Sequence, residues 1–428
     1  MAQAGHIATR GTYLTLRSSR VNPHSLIFLA LNCLYFIPIL GVFFFNYSEG
    51  GTITLADLDA MTLKRTAAVY LAGIIAFLAG SRTAQAPALF LSNNNEVRIL
   101  RRFDIRTSFW AITLVVIAGL LISKVLLIPE GVYAEYAFDT QNMTSGMWNF
   151  SMFCSESLLL LSIAILFSTH KHNLRWFLAL SAVDASNLLH GTRVFFMIGG
   201  LTLCFYAFLR RKLNWRVAVA LLLMAISIGY VVFLSRSNAV VDTEALSPAR
   251  LISPIMYESI FSQLSLFEAV RSPQLWGTFG APHNLLLDTF YFLVPRFLFP
   301  DKDQALFIDR FGDLSPLGAF SGYAQGLIYL GFLFPLFYFV LGRIAAWLFR
   351  RAETSAFWTV GYIYFVCDSF FRIMRDGYII PIKMLINGLT ILALMAVLDR
   401  GLNFLSGPVS SAGPMAPGLS GHQDFAHE

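Results

Sequence analysis

The chain has 428 residues, 56% of them hydrophobic and only 13% charged, with a formal net charge of +6 and a mean hydropathy of +0.63. That composition excludes an ordinary soluble domain, and recurring apolar runs of about 17–25 residues exclude a barrel built from roughly ten-residue alternating strands. The positive charge is distributed by membrane sidedness rather than as a nucleic-acid footprint, so the lipid bilayer is the expected partner and no nucleic acid is expected.

The reading is an all-α, polytopic membrane protein. The first apolar run, Leu26 to Phe45, has no small-residue cleavage site after it and reads as a retained span. Ten spans are expected, over 26–46, 66–81, 109–128, 148–169, 174–190, 193–209, 217–235, 321–342, 356–371 and 379–398. The run 174–190 is interrupted by Asp184, Ser186 and Asn187. An N-terminus placed inside puts Arg10, Arg17, Arg20, Arg82, Arg98, Arg101, Arg102, Arg106, Lys171, Arg175, Arg210, Arg211, Lys212, Arg216, Arg343, Arg350 and Arg351 on the cytoplasmic side. The loop 129–147 then faces outward without a basic residue, and both termini are cytoplasmic.

Four regions follow: a membrane bundle over 1–235, a large outward loop over 236–320, C-terminal membrane helices over 321–400, and a disordered tail over 401–428. The tail is rich in Gly, Pro, Ser and Ala. Within the outward loop, Ile255 to Val270 places Met256, Ile260, Leu264 and Phe267 on one helix face, with Glu258, Ser262 and Ser265 opposite. That spacing predicts a helix lying in the membrane interface. Leu285 to Phe299, cut by Pro295 and followed by Pro300, predicts a re-entrant or interfacial piece. No internal repeat is visible. Cys33, Cys154, Cys204 and Cys367 all lie in or against apolar runs and read as buried small hydrophobes.

Candidate chemistry concentrates outside the membrane. Arg193, Arg236, Arg250, Arg271, Arg296, Arg310, Arg372 and Arg375 all fall on the exterior side in this topology, where basic residues are normally scarce. A guanidinium offers a planar fork of donors that matches phosphate oxygens, so arginines gathered round one outward hollow suit a diphosphate. The alternative for each is snorkelling to headgroups or pairing with a local acid such as Asp376 or Asp309. His283, in APHNLLLD, is a candidate general base, or else a turn histidine after Pro282. Glu258 is the next candidate base, or a solvated helix-face carboxylate. Asp57 and Asp59 have the spacing of a divalent-metal pair, but with Thr54 they also read as acid at a helix N-terminus. No P-loop, zinc spacing or Gly-x-Ser-x-Gly elbow is present.

Four patches, HGTRVFFM (190–197), PRFLFPDKD (295–303), SGYAQGLIYLGFLFPLFY (321–338) and FRIMRDG (371–377), together resemble the Wzy-type oligosaccharide repeat-unit polymerases of bacterial surface and exopolysaccharide synthesis. The pattern and length also suit the xanthan-type polymerase. The resemblance implies a GT-C-like, metal-independent glycosyltransferase of the bacterial inner membrane with no cofactor and a periplasm-facing site. It implies polyprenyl-diphosphate-linked oligosaccharides as donor and acceptor, and a chain-length regulator and export machinery as partners. Arg193, Arg296 and Arg375 match family-like patches as diphosphate contacts; Arg236, Arg250 and Arg372 are added on chemistry and position alone. PHN at 282–284 is similar to the His-Asn patch of the O-antigen ligases, a reading that keeps the chemistry and changes the acceptor. Where some relatives carry an acid near position 325, this chain has the neutral Gln325. A transporter or flippase of the same lipid-linked sugar is the other alternative; it calls for repeats, broken helices and charge at mid-span, whereas the charges read here cluster outside.

Overall fold

The computed structural model describes residues 13–17, 22–45, 59–82, 96–101, 103–127, 145–190, 194–209, 248–278, 283–294, 311, 314, 320–352, 354–402 and 405–406. In chain order these form β1 (Tyr13–Arg17), α1 (Pro23–Phe45), α2 (Ala60–Arg82), β2 (Glu96–Arg101), β3 (Asp104–Ile105), α3 (Thr107–Leu127) and α4 (Ser145–Phe167). Next come α5 (Asn173–Asp184), which runs into a 3₁₀ turn (Ala185–His190), then α6 (Val194–Leu209), α7 (Pro248–Arg271) and α8 (His283–Leu293). The C-terminal part holds α9 (Gly322–Leu330), α10 (Phe334–Ala352), α11 (Ala356–Tyr364), a π-turn (Phe365–Ser369), α12 (Phe370–Asp376), α13 (Ile379–Leu402) and β4 (Leu405–Ser406). The expected span 217–235 lies outside the described residues.

Among the described residues, six helical runs are long and apolar enough to cross a membrane: Pro23–Gly41, Ala60–Arg82, Thr107–Leu126, Phe150–Phe167, Gly322–Ala352 and Ile379–Leu402. Val194–Leu209 is apolar but shorter. The chain is therefore a helical, polytopic membrane protein. Hydroxyls inside these runs are satisfied locally: Thr113, Ser162 and Thr202 each donate to the carbonyl four residues back, which removes an otherwise costly orphan donor from an apolar setting.

Two sheets tie distant segments to one end of the bundle. β1 pairs antiparallel with β2, and β3 with β4, so the segment before α1, the α2–α3 connection and the residues after α13 meet. The Thr169 amide donates to Phe103 O at 2.8 Å, bringing the α4–α5 connection to the same end. The expectation that these basic segments share one side agrees with this pairing. Structure also extends past the boundary drawn at 401, through Leu402 and the β4 pair.

The run Gly322–Ala352 is folded on itself. Tyr323 and Tyr338 would sit about 22 Å apart on one straight helix, yet their rings stack at 4.6 Å. The reversal occurs at Gly331, with φ 55°, so α9 is a half-length helix antiparallel to α10. α10 in turn lies against α2 at close range. A Cβ on Gly80 would meet Phe339 O, and one on Gly342 would meet Phe77 O and Ser81 N, so backbone contacts backbone where side chains are absent.

Of the two loop helices, α7 differs from the sequence reading, while the short α8 agrees with it. From Ser259 onward α7 packs into the bundle. Ser259, Ser262, Gln263 and Ser265 are as buried as Leu266, Phe267 and Val270. Its polar groups are met inside the bundle: Tyr70 donates to Gln263 Oε1 at 2.9 Å, Arg65 Nη1 to Val270 O at 3.0 Å, and the Ser321 amide to Ser265 Oγ at 3.0 Å. A face read as solvated is thus a packing face. α8 has 11 residues, roughly 16 Å of helix, too short to span. It leaves Leu286 and Phe290 exposed while burying Asp288, to which the Tyr329 hydroxyl donates.

Candidate functional site

The most unusual chemistry lies in the bundle interior. Glu156 sits midway along α4, inside a run where Leu158 to Phe167 are all buried. Facing it is the run Ala356–Asp376, in which the π-turn interrupts the α-helical ladder. π-turns widen a helix and recur at functional sites. Here the turn carries Asp368, and Arg372 follows four residues later, the spacing at which helical side chains meet.

The three groups form one ionic cluster. Arg372 Nε donates to Asp368 Oδ1 at 2.6 Å, and Arg372 Nη2 reaches Glu156 Oε2 at 3.4 Å. The Tyr364 hydroxyl donates to Glu156 Oε1 and lies 3.0 Å from Met384 O. The ring of Phe195, from the first turn of α6, lies 5.4 Å from the guanidinium. All three charged side chains are buried: Glu156 is 1% exposed, Asp368 0% and Arg372 4%. A second polar group adjoins through Ser155, the neighbour of Glu156. Asn187 Nδ2 bridges Ser155 Oγ and Asp184 Oδ1, both at 2.8 Å, and Lys124 of α3 lies within electrostatic range of Asp184. Two of the interruptions in the expected span 174–190, Asp184 and Asn187, are therefore members of a buried network.

One turn beyond Arg372 stands Arg375, partly exposed and paired with Asp376 Oδ1 at 2.6 Å. There the helix breaks. Gly377 adopts φ 80° and ψ −152°, a conformation open in practice to glycine alone, and a Cβ there would enter the Gln325 carboxamide. Gln325 Oε1 accepts the Tyr378 amide at the start of α13. Its acceptor oxygen therefore caps a helix whose first amides have no internal partner.

The sequence-derived site is only partly gathered. Arg193, Arg236 and Arg296 lie outside the described residues, as do the side chains of Arg250, Glu258 and His283. Backbone is described for the latter three: Arg250 in the first turn of α7, Glu258 further along it, and His283 at the start of α8. Arg375 and Arg372 are one turn apart on α12, but they face different surroundings. Arg372, expected at the outer end of a span, lies within the bundle because the helix continues to Asp376 and two carboxylates hold its fork. The expectation that charge clusters outside rather than at mid-span is likewise corrected by Glu156, Asp184 and Asp368.

At the start of α2 the capping alternative holds for Asp59. It accepts the Thr62 amide at 2.6 Å, and this bonding to Thr62 keeps its carboxyl below the ordinary carboxylate range. Asp59 itself is the cap residue, one before α2; Thr54 and Asp57 lie outside the described residues.

The sequence reading does not single out Glu156 and Asp368, although each is an ionisable residue within an apolar run, and such residues mark function more often than packing. No protein-family model, curated protein or solved structure matches the chain.

Proposed function

We propose that the chain is a membrane glycosyltransferase of the Wzy type, polymerising polyprenyl-diphosphate-linked oligosaccharide repeat units at the periplasmic face of a bacterial inner membrane. Ten spans with cytoplasmic termini and a GT-C-like arrangement belong to this reading. The observation that carries it is the arginine-bearing helix break: Arg375 stands partly exposed at the end of α12, beside Gly377, on a segment anchored one turn back by the Arg372 cluster.

As the glycosidic bond to the diphosphate breaks, negative charge grows on the leaving oxygen. A guanidinium already held in place stabilises that charge more in the transition state than in the ground state, without reorganising at the moment of reaction. Arg375, with Arg193 and Arg296, takes the diphosphate; Arg236 and Arg250 add positive charge. His283 or Glu258 removes the proton from the acceptor hydroxyl, with no metal or other cofactor. Arg372 acts through α12 as a positioning residue.

The test is incubation of purified protein with lipid-linked repeat units, followed by sizing of products. Ladders of repeat units are expected, with Arg375→Ala, Arg296→Ala and Arg193→Ala each abolishing them at normal protein level. Full-length ladders from all three variants overturn the assignment, and joining of one preformed chain to a different acceptor indicates a ligase.

A transporter or flippase for the same lipid-linked sugar is the second reading. It is favoured by the half-length α9, the break at Gly377 and the ionic cluster in mid-bundle, features that accompany substrate paths. Movement of intact repeat units across proteoliposomes without elongation would establish it.

A further inference from the structure

We infer that the Glu156–Arg372–Asp368 cluster binds an exchangeable proton, resident on Asp368 Oδ2, whichever of the two activities the chain performs. The first argument is charge balance. Among the described residues, the network's three buried carboxylates, Glu156, Asp184 and Asp368, stand against two buried cations, Lys124 and Arg372, which leaves one negative charge in excess. Asp376 does not change the sum, because Arg375 pairs with it. An unbalanced charge in a bundle interior is costly, and the ordinary remedy is to neutralise a group.

The second argument is atomic. Both oxygens of Glu156 are met, Oε1 by the Tyr364 hydroxyl and Oε2 by Arg372. Asp368 Oδ1 is met by Arg372 Nε, while Asp368 Oδ2 is buried and receives no hydrogen bond among the described residues, since the Tyr364 hydroxyl that also bears on this carboxyl gives its one proton to Glu156. An ionised oxygen left without a donor is the least favourable atom in the cluster, so the proton belongs there. The guanidinium already lies between the two carboxylates, where a metal ion would have to sit.

Among the described residues, groups on five helices and the π-turn bear on Asp368. They are Glu156 on α4, Tyr364 on α11, Cys367 beside it in the π-turn, Arg372 and Asp376 on α12, and, through Glu156 and Ser155, Asp184 on α5 with Lys124 on α3. Cys204 of α6 adjoins Cys367. Uptake forms one O–H bond on Asp368 Oδ2 with a proton from water and breaks no bond in the protein. Release restores a net negative core, so the cluster senses whichever aqueous phase it communicates with.

The test uses infrared difference spectra of the full-length protein in lipid between alkaline and mildly acidic buffer. A protonated-carboxyl stretch is expected in the acidic arm, shifted by selective ¹³C-carboxyl aspartate labelling and not by glutamate labelling. It is lost in Asp368→Asn and retained in Asp288→Asn, a buried carboxyl outside the charge sum. If Asp368→Asn fails to fold, Asp368→Glu decides the matter, because the band should then pass from the aspartate label to the glutamate label. Absence of any such band, a band shifted by glutamate label in the wild type, its loss with Asp288→Asn, or its persistence under aspartate label in Asp368→Glu overturns the proposal. No arm requires polymerisation or transport, so failure of either activity leaves this result readable.

Discussion

Arg372 and Glu156 are 216 positions apart, yet the guanidinium of one meets the carboxylate of the other, Nη2 to Oε2, inside the bundle. That contact, with the Asp368 bridge on the second side, joins α4 to the π-turned helix at its centre. Its energetic sign depends on which member is removed. Two charges taken out of water repay their desolvation only while each keeps its partners.

Arg372→Ala therefore strands two buried carboxylates and is expected to destabilise the folded state by about 3–5 kcal/mol. Replacing Glu156, Asp368 and Arg372 together by apolar residues of similar volume should recover most of that loss. Thermal unfolding of the two purified variants checks the pair: equal losses in both would mean the cluster is not the origin of the effect.

Gln325 separates an acceptor role from an acid role. Gln325→Leu leaves the Tyr378 amide without its partner and should cost about 1–3 kcal/mol, whereas Gln325→Glu keeps an oxygen at the same place and should fold normally. Unfolding midpoints of both variants provide the comparison. Gly377→Ala should be worse than Gln325→Leu, since it adds backbone strain of order 1–3 kcal/mol to a collision with the carboxamide.

At the α2–α10 contact, Gly342→Val drives a branched side chain into Phe77 O and Ser81 N. Overpacking of this kind costs about 1–3 kcal/mol. The expected readout is faster proteolysis and a lower unfolding temperature, while substitution of the exposed Leu336 by Val, on the same helix, leaves both unchanged.

Asp59 gives a pH dependence of definite sign. Its carboxyl is held below the ordinary 3.8 by its bonds to Thr62. A depressed folded-state value means the contribution is fully present above the unfolded value and disappears as pH falls through the folded one. Asp59→Ala should accordingly lower the unfolding temperature at neutral pH, with wild type and variant converging in strong acid. A gap that stays constant into that range contradicts the capping role.

Chelation bears on the same residue. With Asp59 committed to the end of α2, glycosyl transfer in purified lipid-linked substrate should survive EDTA. Full loss restored by Mg²⁺ would return Asp57 and Asp59 to the metal role.

By itself the sequence determined the membrane class, the location of the long apolar helices and the gathering of basic loops at one end. Hydropathy and charge are properties of each segment, and the bilayer acts on them segment by segment. The i,i+4 spacing of Asp368 and Arg372 is also present in the sequence, but nothing within that segment marks the pair as buried. Tertiary structure alone decided that Glu156 joins that pair, that the serines of α7 face a packed interior, that Gln325 closes the break before Tyr378, and that the run from Gly322 folds back at Gly331. Each of these depends on what a second segment, distant in the chain, places opposite the residue, and a periodicity read within one segment holds no record of its neighbour.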